Sequence, residues 1–148
     1  MTRIPASFVS LALAALALAA PAASAGGNNL DGQSPPEIAL TDGMNGASAA
    51  TTLATLRGKV VCLKFWLPRC PICRGTLPAF QAIHDRYGRS GVVCLSVVIS
   101  DVAGVQGYVH ESGWTFPVGC DPNHASADRY GVSQIGRASC RERVCQYV

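Results

Sequence analysis

Two cysteines separated by two residues, Cys70-Pro71-Ile72-Cys73, are the side chains of this chain best placed to do chemistry. An apolar run from Val60 to Trp66 reads as a buried strand, the turn Leu67-Pro68-Arg69 follows, and the cysteines then open a stretch with helical spacing. This layout puts Cys70 at a helix N-terminus, where unpaired backbone N–H groups and the macrodipole favour negative charge. The thiolate is the reactive form of cysteine, and such a position lowers the thiol pKa. Cys73 lies one turn further on, within reach of a disulfide with Cys70. Pro71 suits the first helical turn, because its missing N–H would have no partner there. The chemistry implied is a dithiol/disulfide switch.

The elements that must hold this pair can be read on either side of it. A helix from Pro71 to about Tyr87 carries Leu77, Phe80, Ile83 and Tyr87 at near-helical spacing, with Pro78 expected to interrupt and kink it. Val92 to Ile99 reads as a second central strand, and Val102 to Ser112 as a second helix with Val105, Tyr108 and Val109 on one side. Upstream, Glu37 to Leu40 is a short strand candidate, ended by Asp42-Gly43, and Leu53 to Leu56 a single helical turn. Downstream, Phe116-Pro117-Val118 reads as an edge segment because Pro117 cannot donate to a ladder. Ala125 to Tyr130 is a short helix stopped by Gly131. Strand, helix, strand, helix in this order implies a right-handed βαβ unit and an α/β sheet flanked by helices. A C-x-x-C pair at its first βα junction is the thioredoxin-type signal.

The chain has 148 residues, 49% of them apolar, enough for one domain with a real core. Its net charge of +3 sits at the ends: between Gly26 and Gln134, eight basic residues balance eight acidic ones. A neutral body of this kind argues against nucleic acid or an anionic membrane surface as partner. Residues 1–25 have the form of a signal peptide, with Arg3, an apolar stretch from Phe8 to Ala20, and the small-residue cleavage site Ala23-Ser24-Ala25. The apolar stretch is short of the roughly 20 residues a membrane span needs, so cleavage is expected and an uncleaved anchor is the alternative. No cysteine lies near the cleavage site to carry a lipid. Export to a bacterial periplasm, where disulfide chemistry operates, is the expectation. Gly26 to Pro36 reads as a flexible lead-in.

The segments Leu56-Arg57-Gly58-Lys59-Val60-Val61, Phe65-Trp66, Cys70-Pro71-Ile72-Cys73-Arg74, Leu77-Pro78, Phe116-Pro117-Val118, Asp121 and Tyr130-Gly131-Val132 resemble the TlpA/ResA/DsbE-like thiol–disulfide oxidoreductases, over about Gln33 to Val132. The resemblance implies a thioredoxin-like fold over residues 26–134. It implies that Cys70 attacks a substrate disulfide and Cys73 resolves the mixed disulfide, with Trp66, Arg69, Pro71 and Ile72 supporting the pair. It implies no cofactor and no metal beyond the redox-active Cys70–Cys73 disulfide. Its partners would be client proteins that carry disulfides, apocytochrome c among them, and a membrane-bound electron donor, with the protein itself a monomer.

This chain departs from that family at several positions. The Trp usual before the first cysteine is Arg69, the strand position usually held by Asn or Asp is Lys64, and a frequent Glu after the second cysteine is Thr76. Arg69, and Lys64 if its ammonium lies near, would favour thiolate at Cys70 and make the disulfide more oxidising. Loss of an acid would slow resolution by Cys73. The net redox direction is left open. The proline expected soon after Val132, and the strand–strand–helix segment beyond it, do not follow. Ile135 to Val144 instead resembles, residue for residue, a translated sequencing adaptor, so residues 135–148 read as a non-native tail and the domain as incomplete. An open sheet edge is expected as a result.

Two of the seven cysteines, Cys140 and Cys145, fall in that tail. Cys62 and Cys94, inside apolar strands, read as inert thiols. Cys120, beside Asp121-Pro122, is a solitary thiol or a third redox thiol. A zinc site built from Cys70, Cys73 and the tail cysteines has unsuitable spacing, and haem attachment lacks its His, since Arg74 follows Cys73. His84, His110 and His124 read as solvated. A peroxiredoxin-like peroxidase would want Thr three residues before the nucleophile, where this chain has Leu67. A non-catalytic thioredoxin-like assembly or metal-binding module is the other alternative.

Overall fold

A computed structural model describes residue 30, residues 33–132 and the backbone of residues 144–147. The 1–25 leader and the remainder of the 135–148 tail lie outside the described residues. The elements in chain order are β1 (Asp42–Met44), a 3-10 turn (Ala54–Leu56), β2 (Val60–Trp66), α1 (Pro71–Tyr87), a second 3-10 turn (Gly88–Ser90), β3 (Val92–Val98), α2 (Gln106–Glu111), β4 (Val118–Cys120), α3 (Ala125–Arg129) and β5 (Val144–Tyr147). The sheet order is β1-β4-β3-β2-β5. β2, β3 and β4 run parallel, and β1 and β5 are antiparallel to their neighbours. The expected strand–helix–strand unit is therefore β2-α1-β3.

The central strands are buried on both faces, and their pleat sorts the side chains. Val61, Leu63 and Phe65 of β2, with Leu95 and Val97 of β3, join one core with Ile38, Leu40 and Tyr130. Trp66, Cys94 and Val98 face the other core, with Cys73, Leu77 and Phe80 of α1 and Val105 and Val109 at α2. Strands covered on both sides read as continuous apolar runs, which is why β2 and β3 were legible without alternation.

The structure differs from the sequence reading at five places. Glu37 to Leu40 is not a strand. Its polar groups are met by side chains: Ser126 Oγ accepts from Ala39 N–H at 2.8 Å and donates to Ala39 C=O at 3.0 Å, and Glu37 Oε1 accepts from Leu53 N–H at 2.6 Å. Ladder pairing begins only with β1, opposite Val118–Cys120. For the same reason β4 is not an edge: β1 covers one side of it and β3 the other. Pro117 stands just before β4 and contributes only its carbonyl, which accepts from Ser96 N–H at 2.9 Å. Helix α1 runs unbroken through Pro78, forgoing one backbone hydrogen bond. Its inward stripe is Cys73, Leu77, Phe80 and then half-buried His84, so Ile83 and Tyr87 are turned outward, at 39% and 42% exposure. Finally, the open edge expected beside β2 is covered by β5, paired from Leu63 opposite Val144 to Val60 opposite Tyr147. An edge strand's unpaired N–H and C=O groups are a template for any extended segment. Among the described residues no strand–strand–helix unit follows α3.

Gly43 lets β1 fold tightly against the loop behind it. A Cβ there would lie 2.7 Å from the Ala47 carbonyl carbon and oxygen and 2.8 Å from the Val118 oxygen, all of them backbone. Gly43→Ala is expected to destabilise the protein by about 1–3 kcal/mol through forced backbone displacement, measurable by urea unfolding. An unchanged midpoint would mean that β1 is not held in this register.

Candidate active site

Strand β2 ends at Trp66, and Cys70 N–H donates to Leu67 C=O at 3.1 Å to close the turn that follows. Cys70 is the N-cap of α1, with extended φ/ψ of −93° and 105°, and Pro71 occupies the first turn. The Cys70 Sγ accepts from Cys73 N–H at 3.1 Å, so the sulfur takes the place a capping oxygen would have. Cys70 and Cys73 form a disulfide, their Cα atoms 5.2 Å apart. The two residues are unequal in access: Cys70 is 7% exposed and Cys73 is 0%. Any partner must approach from the Cys70 side.

The residues expected to support the pair divide into a rim and a floor. Arg69, Pro71 and Ile72 are exposed on the rim, Ile72 at 56%. Trp66 is wholly buried beneath the pair, and its Nε1–H donates to Ser96 Oγ at 2.6 Å. Tyr108 lies 5.8 Å from the Trp66 ring and carries the Arg74 guanidinium 4.2 Å above its own centroid. This stacking seats the guanidinium of exposed Arg74, the residue after Cys73, on Tyr108. Lys64 is 4% exposed, and its Nζ donates to Thr76 Oγ1 at 2.7 Å. The amine is thus tied to α1 through Thr76, on the Cys73 side of the helix start.

Ser96 and Tyr108 were not singled out as site residues. Ser96 is a lone hydroxyl in an apolar strand, a signal that it has a buried partner. Tyr108 shares one side of its helix with Val105 and Val109 as expected, but its role in seating Arg74 depends on its contact with Trp66 at the end of β2. Half-buried His84 departs from the expectation of a solvated side chain, and its Nδ1 is buried with no hydrogen-bond partner among the described residues. His110 and His124 are exposed as expected. Leu67, three residues before Cys70, packs against both cores and offers no hydroxyl. No group of three or more His, Cys, Asp or Glu side chains suited to a metal ion occurs among the described residues.

Cys62 and Cys94 sit opposite each other on β2 and β3, half-buried and buried respectively. Cys120 is fully buried at the end of β4. Desolvation, reinforced by the negative charges of Asp42 and Asp101, pushes its thiol from the ordinary 9.0 up to about 11. It stays protonated at neutral pH and is unsuited to thiol exchange. Because the unfolded thiol ionises at the lower pH, the stability tied to this group is whole below about pH 9 and is lost as pH rises toward about 11. Cys120→Ala is therefore expected to flatten the alkaline decline of the urea midpoint over that window. A decline of unchanged steepness would count against this assignment.

A three-layer α/β sandwich with a C-x-x-C disulfide capping the helix after its first long strand is a thioredoxin-like protein. Residues 32–144 match the AhpC/TSA family, and the chain belongs to it. It is 30% identical over 106 residues to the thiol–disulfide oxidoreductase ResA of Bacillus thuringiensis, covering 70% of this chain and 59% of that protein. ResA of Halalkalibacterium halodurans is 32% identical over 84 residues, 56% of this chain and 48% of that one. The chain thus spans less than two thirds of the relatives it matches. Among solved structures, the exposed lipoprotein thioredoxin Etrx1 of Streptococcus pneumoniae superposes with a TM-score of 0.57 at 28% identity, covering 67% of this chain and 76% of that one. A protein described as the thiol:disulfide interchange protein DsbE of Chlorobium tepidum gives 0.58 at 26% identity, with 66% and 67% covered.

Proposed function

We propose that this chain is an exported thiol–disulfide oxidoreductase that exchanges disulfides with client proteins. The observation that carries this reading is the paired cysteines at the α1 N-terminus, where Cys70 keeps some exposed surface and Cys73 has none. Reduced Cys70 attacks a client disulfide, aided by the helix N-terminus and by Arg69 at the rim. Cys73 then attacks Cys70 Sγ, which releases the client thiol and restores the disulfide. The names of the ResA relatives support this chemistry. No cofactor is needed beyond the disulfide itself. Clients in the periplasm, such as apocytochrome c, and a membrane-bound reductant fit the leader-like residues 1–25 and the family resemblance. Among the described residues no helix is long and apolar enough to cross a membrane. Aliphatic Leu67 ahead of Cys70 favours disulfide exchange over peroxide reduction.

The test is a trap. With reduced Cys73→Ser protein, the mixed disulfide on Cys70 cannot be resolved, so a disulfide-bearing client should accumulate as an adduct that dithiothreitol releases, visible on non-reducing gels. Wild-type protein should reduce insulin under the same conditions. Absence of both adduct and turnover would overturn the proposal.

A further inference from the structure

Charged side chains are seldom buried, and Lys64 is buried in the middle of β2 at 4% exposure. The pleat turns it to the same face as Trp66, the face on which α1 lies. Its Nζ donates to Thr76 Oγ1 at 2.7 Å, and that hydroxyl donates to the carbonyl of Cys73, also at 2.7 Å. The amine is thus linked by two hydrogen bonds to the fully buried cysteine, while Arg69 and Ile72 mark the open side. A cation in a water-poor interior acts on a neighbouring anion far more strongly than one in water. Opening the disulfide creates such an anion.

We propose that Lys64 is a positioning residue that, through Thr76 and the first turn of α1, holds Cys73 as the thiolate whenever the disulfide is open. This rests on the oxidoreductase reading above and adds to it the group that prepares the second step. In that step the Cys73 thiolate attacks Cys70 Sγ and a new Cys70–Cys73 bond forms. The bond from Cys70 to the client breaks, and the client sulfur leaves with the electron pair and takes a proton from water. Cys73 has already given its own proton to solvent, so no base need be recruited at that moment. The acid missing from this site in the sequence comparison is then not required.

The proton count makes the idea measurable. In exchange with glutathione, two glutathione thiols supply two electrons and leave as glutathione disulfide. The protein pair gains those electrons, and the proton of Cys73 is released to solvent whatever the protonation state of Cys70. That proton alone should raise the equilibrium constant for reduction about tenfold per pH unit between about pH 6 and about pH 8. In Lys64→Met the Cys73 thiol keeps its proton while Cys70 is left as it was, so the slope should fall by about tenfold per pH unit and the constant should be lower by about tenfold at neutral pH. In a Cys70→Ser background, the ultraviolet thiolate absorbance that Lys64→Met removes belongs to Cys73. Thr76→Val keeps the amine but removes the link, and should move that thiolate's titration to higher pH.

A folded Lys64→Met protein with the wild-type pH slope would overturn the proposal. If that variant does not fold, an unchanged thiolate titration in Thr76→Val does so instead. Insulin reduction by the wild type is scored separately. Its absence alongside a Lys64-dependent slope would tell against client reduction only, and its presence with no such dependence would tell against Lys64 only.

Discussion

Cys70→Ser is expected to lower insulin reduction by about three orders of magnitude or more, to the background of the chemical reductant. The argument is one of access and chemistry together. Of the pair only Cys70 has exposed surface, 7% against 0% for Cys73, so a client disulfide meets Cys70 first. A hydroxyl is far too weak an acid to supply the anion that a helix N-terminus and Arg69 at the rim favour. The substitution should leave the fold in place. Serine is a good N-cap and can accept from Cys73 N–H as the sulfur does now. The disulfide it removes closes so short a loop that little unfolded-state entropy depends on it. Circular dichroism and the urea midpoint of the reduced proteins should therefore match while turnover disappears. Turnover that survives in Cys70→Ser would move the chemistry away from this pair.

Trp66→Ala carries the largest expected effect on stability, a loss of about 3–5 kcal/mol. Trp66 is wholly buried at the end of β2, in the core that also holds Cys70, Cys73, Leu77 and Phe116. Its removal leaves a large cavity under the disulfide and takes the partner from the Ser96 hydroxyl, which is itself 0% exposed. It also withdraws support from Tyr108, on which Arg74 is seated. Trp66→Phe separates these contributions. Most of the volume stays and the hydrogen bond is lost, so about 1–3 kcal/mol is expected. Against a total stability of roughly 5–15 kcal/mol for a domain of this size, the alanine variant should be partly unfolded at modest urea concentrations. A loss below about 1 kcal/mol would mean that the ring is not packed as described.

Much of this architecture was legible before any coordinates. The bounds of β2 and α1 are those read from the residues, because a β-branched and aromatic run, a proline at a first helical turn and a 3.6-residue stripe are local signals. The C-x-x-C pair was legible for the same reason, since its chemistry depends on two side chains one helical turn apart. The strands at the margin were not. Glu37 to Leu40 has the composition of a strand, but its polar groups are claimed by Ser126, distant in sequence, and by Glu37's own carboxylate. Pro117 suggested an edge, yet what decides an edge is which other segment comes to lie alongside, and β1 does so.

The same division runs through the site. The amino-acid sequence alone determined that two thiols would share the start of a helix behind a buried strand, since spacing and local propensity suffice for that. Only the tertiary structure decided which cysteine keeps exposed surface, that Arg74 rests on Tyr108, and that Lys64 reaches the Cys73 side through Thr76. Those outcomes depend on which face of a strand a helix covers and how deep it sits. Packing between elements distant in the chain sets both, and no local pattern of residues encodes them.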